Sequence, residues 1–350
     1  MSKDEYLESP EIGRAYRTQY LKGIMGYVDT VLCDAARKRD TYADDIFARP
    51  EMYRDALARM LGHPLNRVYP KAKLLEKTFI AEIDGCDWYR VVTEAVEGVP
   101  FYGLLILQKG SGRYPLVISQ HGGLGTPELC SSLYEGGSGN YNDMTRRLLK
   151  YKVNVYAPQL LLWHEPDESG KNKMDPLRKS LDTALKASGS SITAVELYSI
   201  GCAVSVLSEN EKVDSAHIGM TGLSYGGLYT LLMTALDVRI KAAISCSFFG
   251  GITGTHATDW NWQNNALLFG DAEIAALCWP RDISLLMGDK DPLFNVKHSS
   301  AEYERVKKLA GGLPLQENIH FQIFEGQHEF INDDAPIEHM MRILEAQKLE

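Results

Sequence analysis

From Tyr114 onward, short apolar runs alternate with longer stretches of helical character. The runs fall at 115–120, 152–157, 216–221, 240–246, 282–287 and 319–324. Runs of this length, rich in Val, Ile and Leu, read as buried strands, and stretches such as Ile192–Leu207 read as the helices that cross over between them. The alternation predicts an α/β fold with a mostly parallel central sheet and helices on both faces. Residues 75–108 differ. The period-two alternation in Tyr89–Val96 and Phe101–Leu107 predicts antiparallel strands that open the sheet. Residues 1–74 read helical, with helices expected over Tyr16–Val31 and Arg49–Leu61; Pro50 starts the second, and Gly62 and Pro64 stop it. The chain therefore divides into a helical N-terminal cap or extension, 1–74, and one catalytic-sized α/β domain, 75–350.

Two connections break the regular spacing. One runs from Pro158 to Ser190 and the other from Phe248 to Pro280. Connections this long in a compact domain are lids or binding loops. The second is rich in rings and amides, among them Trp260, Trp262, Gln263, Asn264 and Asn265. It is expected to form an inserted lid walling a pocket, with Trp260 or Trp262 against a sugar or another ring. Its aromatics could equally bury one another.

The chemistry-bearing residues fall at strand ends. The run 216–221 leads into Gly222-Leu223-Ser224-Tyr225-Gly226-Gly227, which reads as strand, sharp turn and helix. Such a turn pushes the serine hydroxyl out of the sheet, and its flanking glycines avoid a collision that a Cβ would cause. Asp291 follows the strand 283–287, His328 follows the strand 319–324, and His121-Gly122-Gly123-Leu124-Gly125 follows the strand 115–120. Each lies just past the carboxyl end of a predicted strand, where an open α/β sheet gathers its site. The chain order is Ser, Asp, His. A serine hydroxyl needs a base within hydrogen-bond reach, so Ser224 is the candidate nucleophile and His328 the candidate base. Of the other histidines, His217 and His320 lie in predicted strands and His298 and His339 in helical stretches, which are structural positions. His63, His164 and His256 sit in loops outside the triad order, with His164 a candidate substrate contact at a pocket rim.

The HGG turn at 121–123, the GLSYGG turn at 222–227, the GDKD segment at 288–291 and the EGQH segment at 325–328 resemble α/β-hydrolases. The type is that of dienelactone hydrolase and acetyl xylan esterase, related to the catalytic domains of prolyl oligopeptidase-like enzymes. Asp237–Ile244 matches the helix-to-strand passage after the elbow in this group. The resemblance implies an α/β-hydrolase fold over 75–350 and a Ser224–His328–Asp291 triad. Its acid lies three residues after Gly288, which favours Asp291 over Asp289. It also implies an oxyanion hole from the N–H groups of Tyr225 and Gly123, and a structural role for His121. The activity implied is a serine esterase working through an acyl-enzyme, with deacetylation of a sugar or small metabolite as the natural case. An amide or peptide hydrolase of the prolyl oligopeptidase kind is the alternative, although nothing here is large enough to be a gating propeller. A catalytically inactive binding fold is a further alternative, disfavoured because all three triad residue types are present.

Composition narrows the partners. With 45% hydrophobic and 24% charged residues the chain is globular. A net charge of −9 argues against nucleic acid or an anionic membrane as partner. No apolar stretch approaches the roughly 18 residues of a membrane span, and the polar opening Met1-Ser2-Lys3-Asp4-Glu5 is not a signal peptide. The six cysteines lack CxxC spacing, so reduced thiols in a cytoplasmic protein are expected, with no zinc site. No motif for a cofactor or metal is present: no HExxH, no Walker loop, no GxGxxG after a strand. The expected partner is a small-molecule ester, and the N-terminal helical segment is the candidate surface for a homo-oligomer.

Overall fold

The computed structural model describes residues 8–42, 45–162, 177–254 and 258–349. Its strands are β1 (Lys73–Ile83), β2 (Cys86–Val96), β3 (Val99–Gln108), β4 (Tyr114–Gln120), β5 (Asn154–Pro158), β6 (Val213–Leu223), β7 (Ile240–Cys246), β8 (Asp282–Gly288) and β9 (Ile319–Phe324). They form one sheet in the order β1-β2-β3-β5-β4-β6-β7-β8-β9. β1, β2 and β3 are an antiparallel meander, and β3 joins β5 antiparallel. From β5 to β9 every pairing is parallel. The mixed sheet is the one its residue pattern predicts: period-two alternation in the opening strands, and unbroken apolar runs in the central ones.

The longer helices are α1 (Arg14–Arg39), α2 (Pro50–Leu61), α3 (Arg178–Ala187), α4 (Ile192–Leu207), α5 (Tyr225–Leu236), α6 (Asp271–Ala276), α7 (Val296–Ala310) and α8 (Ala335–Ile343). Successive strand residues point to opposite faces. Leu116 and Ile118 of β4 therefore enter one apolar layer with Leu57, Leu197, Leu232 and Ile274. Val117 enters the other with Trp88, Met144, Ile337 and Met340. α4 is buried on nearly all sides and starts on Ser191, whose hydroxyl accepts the Ala194 N–H at 3.0 Å.

The N-terminal segment is not uniform. Ile46, Leu57, Leu61 and Leu65 belong to the main core, so α2 is part of the α/β unit. α1 runs eight residues beyond the expected Val31 end, to Arg39. Only its last turns are anchored. Arg39 Nε lies 3.1 Å from Glu273 of α6, and Arg305 of α7 joins Glu273 to Asp40 at 2.7 and 2.5 Å. Residues 14–31 are exposed throughout. No helix among the described residues is long and apolar enough to cross a membrane.

Candidate active site

Parallel pairing brings the carboxyl ends of β4, β6, β7, β8 and β9 to one edge of the sheet. Gln120 is level with Gly222, Leu223 with Cys246, and Gly288 with Phe324. The chain leaves β6 at Ser224, which has φ 59° and ψ −119° and half-exposes its side chain. This left-handed backbone is costly for a residue with a Cβ and is held by its surroundings. The Ser224 N–H donates to the Cys246 carbonyl at 2.8 Å. A Cβ on Gly222 would collide with the Gly226 backbone, and one on Gly226 with the Gln120 carbonyl, so the turn closes only on glycine at both places.

The 121–125 turn lies against the elbow. A Cβ on Gly122 would fall 2.7 Å from the Leu223 carbonyl oxygen and 3.1 Å from Ser224 Cβ. His121 braces the turn in one tautomer. Its Nδ1–H donates to the Gly122 carbonyl at 2.8 Å, while Nε2 accepts the Leu160 N–H at 2.9 Å. Burial pushes the His121 pKa down to about 4, against the pull of the Gly122 carbonyl, so the ring stays neutral. Tyr141, which sequence reading did not single out, accepts the Gly122 N–H on its hydroxyl at 2.8 Å. The turn's hydrogen bonds engage the amides of Gly122, Leu124 and Gly125. Among the described residues they leave out Gly123, which is half-exposed and follows the Gly122 that abuts the elbow. Tyr225 is the first residue of α5, where N–H groups have no intrahelical partner.

The His328 loop packs on the end of β7. The Glu329 carbonyl accepts Ser247 Oγ at 3.1 Å, and the Phe330 N–H donates to the Asn140 carbonyl at 2.8 Å. Cys246 thus carries Ser224 on its carbonyl, and its neighbour Ser247 carries the histidine loop. His328 Nδ1 lies 2.8 Å from Asp291 Oδ2, and the Asp291 side chain is fully buried. Oδ1 of Asp291 accepts the N–H groups of Leu293 and Phe294 at 2.8 and 3.1 Å. Burial works to raise its pKa, but the bond to His328 and these amides outweigh it and hold the carboxyl below its ordinary value. Asp289 is exposed and turned away; its Oδ1 accepts the Gly326 N–H at 3.0 Å and so shapes the histidine loop from outside.

A run of rings links His328 to Tyr225. Phe294 lies 5.7 Å from the His328 ring, 5.3 Å from Phe248 and 6.3 Å from Trp260, and Trp260 lies 4.9 Å from Tyr225. Trp260 and Phe248 belong to the 248–280 connection, so part of it walls the space between base and elbow. Trp262 does not join them. It is buried on another side, in a cleft with Ala56, Met60 and Ser190. His164 lies outside the described residues.

Behind Tyr225 sits a charged cluster that sequence reading missed. Arg178 of α3, 1% exposed, places Nε 2.8 Å from Asp259 and NH1 3.2 Å from Glu196 of α4. Tyr225 donates its hydroxyl to Asp259 at 2.7 Å, and Tyr229 donates its own to Glu196. Burial opposes the Arg178 charge, but Glu196 and Asp259 more than offset it and push its pKa well above normal. The sequence signal was Glu196, a lone acid within the apolar run of α4. Removing one partner of a buried ion cluster leaves the others uncompensated. Arg178→Met is therefore expected to lower unfolding free energy by about 3–5 kcal/mol in urea titration. The exposed Arg37, which pairs with the exposed Asp34, should cost less than about 1 kcal/mol when replaced by Met. Equal effects would show that the cluster carries no stability.

The sequence matches no family model, and no curated protein sequence matches it. Solved structures resemble it in fold. A glucuronoyl esterase from Solibacter usitatus superposes with a TM-score of 0.60 at 13% identity, covering 85% of this chain and 91% of the other. Acetyl xylan esterase 1 from Thermoanaerobacterium sp. gives a TM-score of 0.52 at 16% identity, covering 86% and 93%. An acetyl xylan esterase from Paenibacillus sp. R4 gives 0.52 at 17% identity, covering 87% and 93%. The chain has the α/β-hydrolase fold.

Proposed function

We propose that this protein is a serine hydrolase of carboxylic esters. The observation that carries the reading is the Asp291–His328 pair, seated on the strand end that also holds the Ser224 elbow. His328, oriented through Nδ1, takes the Ser224 proton on Nε2 as the serine attacks the ester carbonyl. The Tyr225 and Gly123 N–H groups receive the developing oxyanion. His328 protonates the departing alcohol, an acyl-enzyme remains, and water activated by the same ring releases the acid. A tagged fluorophosphonate should label Ser224 stoichiometrically in the wild type and only slowly in His328→Ala. A wild type that resists labelling would end the proposal.

The substrate we favour is an acylated sugar or similar small metabolite. The Trp260–Phe294 wall offers the flat apolar surface that a ring stacks on, and esterases acting in that chemical neighbourhood share the fold. Trp260→Ala is expected to raise KM for an acetylated sugar about tenfold or more, equal to about 1.4 kcal/mol of lost contact, while changing p-nitrophenyl acetate much less. Trp262→Ala should lower thermal stability and leave the ratio of the two substrates flat. Equal specificity ratios in both variants would remove Trp260 from the substrate site. The cysteines are free thiols, five of them buried, which suits a reducing, cytoplasmic setting.

The exposed half of α1 we assign to self-association. Tyr20, Ile24, Tyr27 and Val31 are 43–72% exposed and recur at steps of four, three and four, the spacing by which helices pair with copies of themselves. Gly23 and Gly26 each weaken the bare helix by about 1 kcal/mol, so it gains most from a packing partner. Sedimentation should show a dimer or larger assembly that Ile24→Glu with Tyr27→Glu converts to monomer. A monomeric wild type at tens of micromolar would refute this.

A further inference from the structure

At the opposite end of the sheet from Ser224, two histidines converge on one carboxylate. Asp282 opens β8, and its side chain is 6% exposed. Its Oδ2 lies 2.9 Å from Nε2 of His320 on β9 and 2.9 Å from Nε2 of His339 on α8. The three atoms lie within 4.8 Å of one another, and the two rings meet edge to face at 4.8 Å. Among the described residues, no lysine or arginine pairs with Asp282. The hydrolase chemistry does not use this cluster.

We infer that Asp282, His320 and His339 form a binding site for a divalent transition-metal ion of the zinc class. The donor set is two imidazoles and a carboxylate, which suits zinc and its neighbours and not magnesium or calcium, whose ligands are all oxygen. Zinc bonds of 2.0–2.2 Å in a tetrahedron hold ligand atoms about 3.3 Å apart, so the two Asp282 distances open by a few tenths of an ångström while the third pair, which lies within 4.8 Å, closes as the two side chains turn toward the ion. Both imidazoles are about a third exposed, which gives the ion a path in and leaves a coordination position for water. A cation also answers the electrostatics. Among the described residues, two imidazoles are the side chains that meet this nearly buried carboxylate, and an ion between the three groups would place a fixed positive charge beside it.

The site has one built-in opponent. Arg342 NH2, a donor only, lies 3.2 Å from His339 Nδ1, so that nitrogen must present a lone pair and Nε2 must carry the ring proton. Metal binding at Nε2 reverses the assignment: Nε2 gives up its proton to solvent and offers its lone pair, and Nδ1 becomes the protonated nitrogen. Arg342 is exposed and must swing away. The guanidinium therefore competes with the ion, and its removal favours the ion.

The consequence for the fold is local. The segment from His320 to His339 holds β9, the His328 loop and the start of α8, and an ion on Asp282 fastens both of its ends. The inference stands apart from the esterase reading, since its test measures binding and stability, not turnover. Full-length protein freed of metal by chelator dialysis is titrated calorimetrically with zinc chloride near pH 7.5. Saturable one-to-one binding is expected. At a hundredfold excess over Kd the melting temperature should rise by roughly 3–5 °C. His320→Gln and His339→Gln, each checked for fold by circular dichroism, should bind about tenfold or more weakly and lose about half of the shift or more at the same zinc concentration. Arg342→Ala, an exposed change that leaves the fold untouched, should bind more tightly than the wild type. Absence of binding in the wild type, binding that survives both histidine changes, or equal or weaker binding in Arg342→Ala would each overturn the assignment.

Discussion

Ser224→Ala is expected to cut kcat for p-nitrophenyl acetate by about 10⁶-fold, leaving a residual rate about 10³–10⁴ above water. The residue count of interactions lost is small: one hydroxyl. The effect is large because the acyl-enzyme route then has no nucleophile, and His328 and Asp291 have nothing to act on. What survives is electrostatic. The N–H groups proposed to receive the oxyanion, those of Tyr225 and Gly123, are backbone, so alanine at 224 should leave them in place. The fold should also survive. Alanine meets the same left-handed φ of 59° that serine already tolerates, and the bonds closing the elbow run through main-chain atoms. The checks are steady-state turnover and a melting curve on one preparation. Turnover near the wild-type level, with the fold intact, would rule out Ser224 as the nucleophile.

Asp291→Asn should lower kcat by about 10⁴-fold, while Asp289→Asn changes it by less than about threefold. The difference follows from what each carboxylate touches. Oδ1 of Asp291 already accepts two backbone N–H groups, from Leu293 and Phe294. An asparagine must keep its oxygen there and turn its NH2 toward His328. A donor facing Nδ1 forces the ring proton onto Nε2, and Nε2 then has no lone pair to accept the Ser224 proton. The wrong tautomer is thus fixed by the amides of 293 and 294. At Asp289 the only loss is charge on an acceptor of the Gly326 N–H, and an asparagine oxygen accepts that bond as well. Comparable losses in the two variants would mean that Asp291 does not orient the ring.

Period and punctuation made the sheet legible. Ile192–Leu207 and Ile240–Cys246 fall where their apolar patterns end, because a helix or strand buried on nearly all sides has little freedom to shift its ends. α1 was underestimated because its extension to Arg39 is held by Glu273, a partner more than two hundred residues away. Ser224, Asp291, His328 and the 121–125 turn stand out because each must follow a strand, and strands are readable. The Arg178–Glu196–Asp259 cluster could not be read in this way. Its members come from separate segments, and pairing across a fold leaves no local spacing. Trp260 and Trp262 are two residues apart, yet one meets Tyr225 and the other a cleft beside α2. Composition named both and could not give their directions. The meeting of His320 and His339 at Asp282 is hidden in the sequence for the same reason: only the register of β8 with β9 and the packing of α8 bring them there.

Arg178 opens α3 within the 158–190 connection, and Asp259 belongs to the 248–280 connection. Their ion pair makes the two insertions one heritable unit. A lineage, or an engineer, that replaces one insertion to change substrate unbalances the cluster: without 158–190, Asp259 and Glu196 lose the Arg178 cation, and without 248–280, Arg178 loses one of its two carboxylates. Grafts between relatives of this fold should therefore succeed when both segments travel together with Glu196, and fail when either is moved alone.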